Sequence, residues 1–173
     1  MRETSIHRLT DAFNKGDMAG AAAAYAPADL TIVDELPPYV WRGPDAQQAW
    51  TGDLMTDVAR RGLSSPAVAV GEPVRWEVDG VSAYVIAPAV HGYKQNGVDM
   101  QEPSRMTFTL AKAGDGWKIT SWTWTGPKPT PTFNLSAKPR PIAVFATSRV
   151  ILSCAKRDER DITRYRFGAP RHA

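Results

Sequence analysis

The stretch VRWEVDGVSAYVIAPAVHGY, residues 74–93, decides the fold. Val74, Trp76 and Val78 alternate with Arg75 and Glu77, the two-residue period of a strand with one apolar face. Asp79-Gly80 follows with the chemistry of a tight hairpin turn. Val81 to Tyr93 then reads as a long second strand, and Pro88 predicts a bulge or bend there, since proline cannot donate to a ladder. Downstream, Asn96-Gly97 is the next turn and Met106 to Leu110 alternates again. Gly114-Asp115-Gly116 turns the chain, and Trp117 to Thr125 makes the last strand. Strands joined by short turns pair antiparallel.

Upstream the period is helical. Thr4 and Ser5 can cap a helix whose Ile6, Leu9 and Phe13 share one face, and Asn14-Lys15-Gly16 ends it. Asp17 caps a short alanine-rich helix, Met18 to Tyr25, which Pro27 stops. Leu30 to Asp34 and Tyr39 to Trp41 read as two short strands either side of a Leu36-Pro37-Pro38 kink. Gly43-Pro44-Asp45 opens a third helix with Ala46, Trp50, Leu54 and Val58 in line, closed by Arg60-Arg61-Gly62. The expected fold class is α+β, a curved antiparallel sheet wrapped around the N-terminal helices, with no internal repeat. Such a sheet roofed by helices leaves a cone-shaped barrel with an internal pocket.

Several stretches together resemble the nuclear transport factor two-like, or SnoaL-like, superfamily. They are Phe13-Asn14-Lys15-Gly16-Asp17, the alanine helix, the strand ending in Asp34, Trp41-Arg42-Gly43, and Gly116 to Trp122. The likeness spans about residues 3–127 and rests on the ordered set, because none of these motifs is diagnostic alone. It implies a small-molecule pocket and, in similar isomerases, cyclases and dehydratases, proton-transfer chemistry. Asp34 stands where similar steroid isomerases keep a proton-shuttling aspartate. The matching tyrosine on the first helix is replaced by Leu9, and the late-strand acid by the region of Arg105 and Thr107. A steroid isomerase proper is therefore not expected.

Composition sets the outer bounds. The 173 residues, 43% hydrophobic and 23% charged, suit one globular domain with a core. The opening MRETSIHRLTDAF has no apolar leader and the most apolar window, Val81 to Val90, is too short to span a bilayer, so a cytoplasmic protein is expected. The single cysteine, Cys154, excludes an internal disulfide and a cysteine metal cluster. The three histidines, His7, His91 and His172, are too scattered to suggest a metal site, and no cofactor motif is present.

The net charge of +3 hides an asymmetry. Residues 1–125 carry 11 Lys/Arg against 15 Asp/Glu, while residues 126–173 carry 10 against 3. The pI of about 9.1 therefore belongs to the second segment, and nucleic-acid binding does not follow from it. The expected division is a domain at 1–127 and a basic, Pro/Arg-rich, loosely ordered tail at 128–173. For the tail, an arm contacting nucleic acid or membrane through Lys156, Arg157, Arg160, Arg164 and Arg166, and an out-of-frame extension, are the competing readings. Ile142 to Ala146 and Val150 to Leu152 are its one candidate docking strand.

The candidate chemistry lies in the pocket. Asp34 is the candidate base, since an apolar environment raises a carboxylate's pKa; the plain alternative is a strand-end carboxylate paired with Arg42. His91 and Tyr93, two residues apart on one strand face, are candidate proton partners, though a structural histidine fits His91 as well. Arg105 is the candidate anchor for a carboxylate or enolate, against a salt bridge to Asp99 or Glu102. Tyr39, Trp41, Trp50, Asp53, Trp76 and Trp122 are candidate ligand contacts, Asp53 having solvated helix charge as its alternative. Trp122 and Trp124 should share one face of the last strand and Trp117 and Ile119 the other. One of the two faces is then an exposed aromatic stripe, which predicts a homodimer through the sheet. Three functions remain open: a proton-transfer enzyme acting on a small apolar carbonyl compound, a non-catalytic binder of a small hydrophobic ligand, and an association domain with a filled interior.

Overall fold

A computed structural model describes residues 5–114 and 116–132. Helix α1 spans Ser5–Lys15 and buries Ile6, Leu9 and Ala12. Helix α2, Met18–Ala22, is capped by Asp17, whose side chain accepts from the Gly20 N–H. Strands β1 (Thr31–Val33) and β2 (Val40–Arg42) form a short antiparallel pair. Helix α3, Ala46–Arg61, ends at Gly62 in the left-handed conformation (φ 64°), a geometry that costs glycine nothing. No helix among the described residues is long and apolar enough to cross a membrane.

The remaining strands are β3 (Leu63–Val70), β4 (Arg75–Asp79), β5 (Ser82–Gln95), β6 (Val98–Ala113), β7 (Gly116–Thr125) and β8 (Thr130–Pro131). They join β1 and β2 in one sheet of order β2-β1-β7-β6-β5-β3, with β4 also on β5 and β8 also on β6. Every pair is antiparallel except β1 with β7. Helix α3 touches β1 and β2 at one end of that order and β3 at the other, which requires the sheet to curl around it. Phe108, Ile32, Ile119 and Val85 are the largest fully buried side chains.

Three sequence expectations change. Pro88 introduces no bulge: its register with Arg105 is unbroken. Its carbonyl accepts from the Gly71 N–H, so the missing N–H faces the gap where β3 ends and β4 has not begun. The bulges lie elsewhere, at Ser65-Pro66 in β3 and at Thr120 in β7. The second re-phases the last strand. Thr120 is the extra residue, so Ile119 pairs with Leu110 and Trp122 with Phe108 on the same inward face. Trp117 and Trp124 also pack against the core. The aromatic stripe on which self-association was predicted therefore does not form.

Strand β3, with two serines and a proline in LSSPAVAV, and the first half of β6 lie outside the sequence expectation. Of the segment 128–173, residues 128–132 are described. The candidate docking strand, Cys154 and the basic residues of the arm lie outside the described residues.

Candidate functional site

The inward face of the sheet and helices α1 and α3 enclose a cavity of about 1080 Å3, at the upper end for small-molecule pockets. Leu9, Phe13, Trp50, Leu54, Phe108 and Trp122 supply apolar wall. Trp50 meets Trp122 edge-on, with ring centroids 5.2 Å apart. The Trp122 indole N–H donates to the Tyr25 hydroxyl at 3.0 Å, and burial pushes that phenol's pKa well up.

Polar groups gather on one side of this cavity. Asp34 leaves β1 with its Oδ2 accepting from the Trp50 indole at 2.8 Å and its Oδ1 from the Glu35 N–H at 2.8 Å. Burial raises the Asp34 pKa; these two hydrogen bonds oppose the rise without cancelling it. On β5 the inward positions Ala83, Val85, Ala87 and Ala89 lead to His91 and Tyr93 on the same face. The His91 and Tyr93 rings lie 4.9 Å apart, and the His91 Nε2 is buried without a hydrogen-bond partner among the described residues. Its Nδ1 lies 3.9 Å from the Glu102 carboxylate, and Glu102 faces His91 in the β5–β6 register.

Glu102 is 3% exposed and accepts a hydrogen bond from the Trp124 indole. Burial alone would raise its pKa, but the nearby His91, the Trp124 indole N–H and the Glu35 carboxyl outweigh that and hold it low. Its neighbour Glu35 moves the other way. Partial burial and the neighbouring Glu102 carboxyl push Glu35 up to about 7. The two carboxyls therefore titrate apart, Glu35 upward and Glu102 downward. Arg61, at the end of α3, donates to the Tyr93 hydroxyl at 3.0 Å and pairs with Asp57 at 3.1 Å. Asp57, 8% exposed, also holds Arg60. Burial raises the Tyr93 pKa, and the Arg61 charge works against it.

The sequence-predicted residues divide. Asp34, His91, Tyr93, Trp50 and Trp122 line the cavity. Arg105 does not: Met106 and Phe108 point inward on β6, so the alternation turns Arg105 outward into solvent, opposite Pro88 and Thr125. The cations that line the cavity are Lys15, Arg60, Arg61 and Lys128. Asp34 is held by Trp50 rather than Arg42. Trp41 and Asp53 bond to each other at 2.8 Å, with neither lining the cavity. Tyr39 is 55% exposed beyond the Pro37-Pro38 turn and Trp76 is 41% exposed on β4, and neither lines the cavity. Glu35, Asp57, Arg61 and Glu102 lie beyond the sequence reading. The one available signal was parity, since Glu102 stands four residues before Met106 and so on its face. No group of three or more His, Cys, Asp or Glu side chains among the described residues is placed to hold a metal ion.

No known protein family matches the chain by sequence, and no curated protein does. Solved structures match by shape. One is a type 2 hexachlorocyclohexane dehydrochlorinase (LinA), 14% identical, covering 80% of this chain and 93% of its own, with a TM-score of 0.60. A nuclear transport factor 2-like superfamily protein from Salmonella enterica is 18% identical, covering 78% and 92%, with a TM-score of 0.58. A ketosteroid isomerase-like protein from Erwinia carotovora atroseptica is 19% identical, covering 72% and 92%, with a TM-score of 0.54.

Proposed function

We propose that this chain, whose fold is that of the nuclear transport factor 2-like proteins, takes a small, largely apolar carbonyl compound into its cavity and isomerises or dehydrates it by proton transfer. The observation that carries this reading is the set Glu35, Glu102 and His91 standing with Asp34 in a cavity whose wall is largely apolar. Carboxyls whose environments drive their pKa values apart are the mark of an assigned acid and an assigned base. One of the similar structures is a dehydrochlorinase and another is ketosteroid isomerase-like, which supports a cavity of this fold being used for such chemistry.

In this reading Asp34 is the base. Its raised pKa makes the ionised carboxylate a stronger proton acceptor than a solvated one, and Trp50 fixes its orientation. It takes the proton from the carbon beside the carbonyl, and the C–H electron pair moves into an enolate. The Tyr93 hydroxyl, held by Arg61, stabilises the oxygen's developing charge. Glu35, held up to about 7 by partial burial and the Glu102 carboxyl, returns a proton either to carbon, giving the isomer, or to a departing hydroxyl, giving water and the alkene. Glu102 and His91 position that acid.

Hydrogen–deuterium exchange at the α-carbon tests the reading without knowledge of the product. Cyclic ketones and hydroxyketones incubated with the protein in D2O should gain deuterium, and Asp34→Asn should slow the gain by about 10²- to 10⁴-fold. Tight binding of these compounds with no exchange would instead establish a binding protein.

A further inference from the structure

The strap of residues 126–132 places Lys128 and Pro129 in the cavity wall, and we infer that Lys128 contacts an anionic group at the outer end of an otherwise apolar ligand. This rests on the proposed cavity function and names its ligand class.

The strap is built into the sheet. After β7 ends at Thr125, the chain returns to the same edge of β6 and pairs again at Thr130 with Gln101 and Pro131 with Met100. Between those two attachments residues 126–129 pair with no strand, and Lys128 and Pro129 line the cavity. Both ends are fastened. The Ser104 hydroxyl donates to the Thr125 carbonyl at 2.7 Å, and the Thr132 N–H and hydroxyl both reach the Asp99 carbonyl, at 2.8 and 2.9 Å. Gly126 lies so close to β6 that an added Cβ would come within 2.8 Å of the Pro103 carbonyl oxygen. Pro127, Pro129 and Pro131 alternate with Lys128, Thr130 and Thr132, which limits the conformations open to the strap before it docks.

Charge selects the ligand. Of the cavity's acids, Asp57 pairs with two arginines, Asp34 and Glu102 are each held by an indole N–H, and Glu35 is held toward its neutral form. Among its cations, Arg60 and Arg61 are taken by Asp57. Lys15, at the end of α1, and Lys128 line the cavity and make no ion pair among the described residues. Both lysines are exposed, so at the cavity's mouth they offer positive charge that no acid among the described residues pairs with. A carboxylate or sulfonate carried by an apolar body complements it, and of the two lysines Lys128 is the one borne on a preorganised wall.

Two fluorescent probes with one aromatic frame make the test: 8-anilinonaphthalene-1-sulfonate, which is anionic, and N-phenyl-1-naphthylamine, which is neutral. Both should bind the full chain. Lys128→Ala should weaken the sulfonate about three- to tenfold while changing the neutral probe less than about twofold, Lys128→Glu should weaken it further, and Lys128→Arg should retain it. An equal loss for both probes, or no loss for either, overturns the assignment of Lys128. So does a loss of sulfonate affinity confined to Lys15→Ala. If neither probe binds, the open cavity itself is refuted, and the proposed function falls with the ligand class.

Discussion

The two ends of strand β5 share one geometry and differ in chemistry. At one end Ala83, Val85, Ala87 and Ala89 point inward and are buried among apolar neighbours. At the other, His91 and Tyr93 occupy the same face and meet Glu102 and Arg61. Strand β6 changes at the same level, from Leu110, Phe108 and Met106 to Glu102. Strand periodicity therefore sets which side chains face inward and leaves their chemistry free. The apolar end gains from burial, whereas the polar end loses solvation, as the raised pKa values of Asp34 and Glu35 record. Groups kept in place at a cost to stability are candidates for work other than folding.

The largest expected effect lies at the apolar end. Phe108 is fully buried, and Phe108→Ala should cost about 3–5 kcal/mol, through lost transfer energy and the void left behind. At the polar end Glu102→Gln keeps an acceptor for the Trp124 indole and should cost about 1 kcal/mol. Urea denaturation of the two variants measures the contrast. Equal losses at both ends would break it.

Much of the apolar end was legible in the sequence, because a period of two carries through Trp76 to Val78, Ala83 to Ala89 and Met106 to Leu110. Glycine at the end of α3 and the Asp79-Gly80 turn were legible for the same local reason. Bulges were not. Ser65-Pro66 hid β3, and Thr120 reversed the expected facing of half of β7, since an extra residue changes the phase without changing composition. The site was legible only where it follows a strand's parity, at His91 and Tyr93, or a strand end, at Asp34. Glu35, Arg61 and Glu102 come from a loop, a helix end and a strand beside Pro103, and only the folded sheet brings them together. Arg105 was misassigned because it shares the face of Thr107 and Thr109, and the structure turns that face outward while Met106 and Phe108 face the core.

A smaller effect sharpens the contrast through pH. Glu35 has a folded-state pKa of about 7, above the ordinary glutamate value of 4.5. Between those two values the unfolded chain has released this proton and the folded chain has kept it. Stability from this group is therefore lost as pH rises through that window. Thermal melts from pH 4.5 to 7.5 should show the wild type declining relative to Glu35→Gln, which has no proton to lose. If the proposed function holds, turnover should follow a bell-shaped profile. Its acid limb reports Asp34 titrating above the ordinary carboxylate range, and its alkaline limb, near 7, reports Glu35. Parallel melting curves for the two proteins would mean that the fold does not hold the Glu35 proton above its ordinary range.

The smallest effect separates two arginines. Arg105 stands outside the sheet opposite Pro88 and Thr125, with its side chain in solvent, so Arg105→Ala should change stability by no more than about 0.5 kcal/mol and leave probe binding unaltered. Arg61 faces the cavity, and its charge holds the Tyr93 phenol below where burial alone would put it. Arg61→Ala should therefore move the Tyr93 ionisation upward, read as tyrosinate absorbance in an alkaline titration, while Arg105→Ala leaves it in place. Should Arg105→Ala shift that titration instead, the outward facing of β6 at this position would be wrong, and with it the phase that sets Glu102 opposite His91.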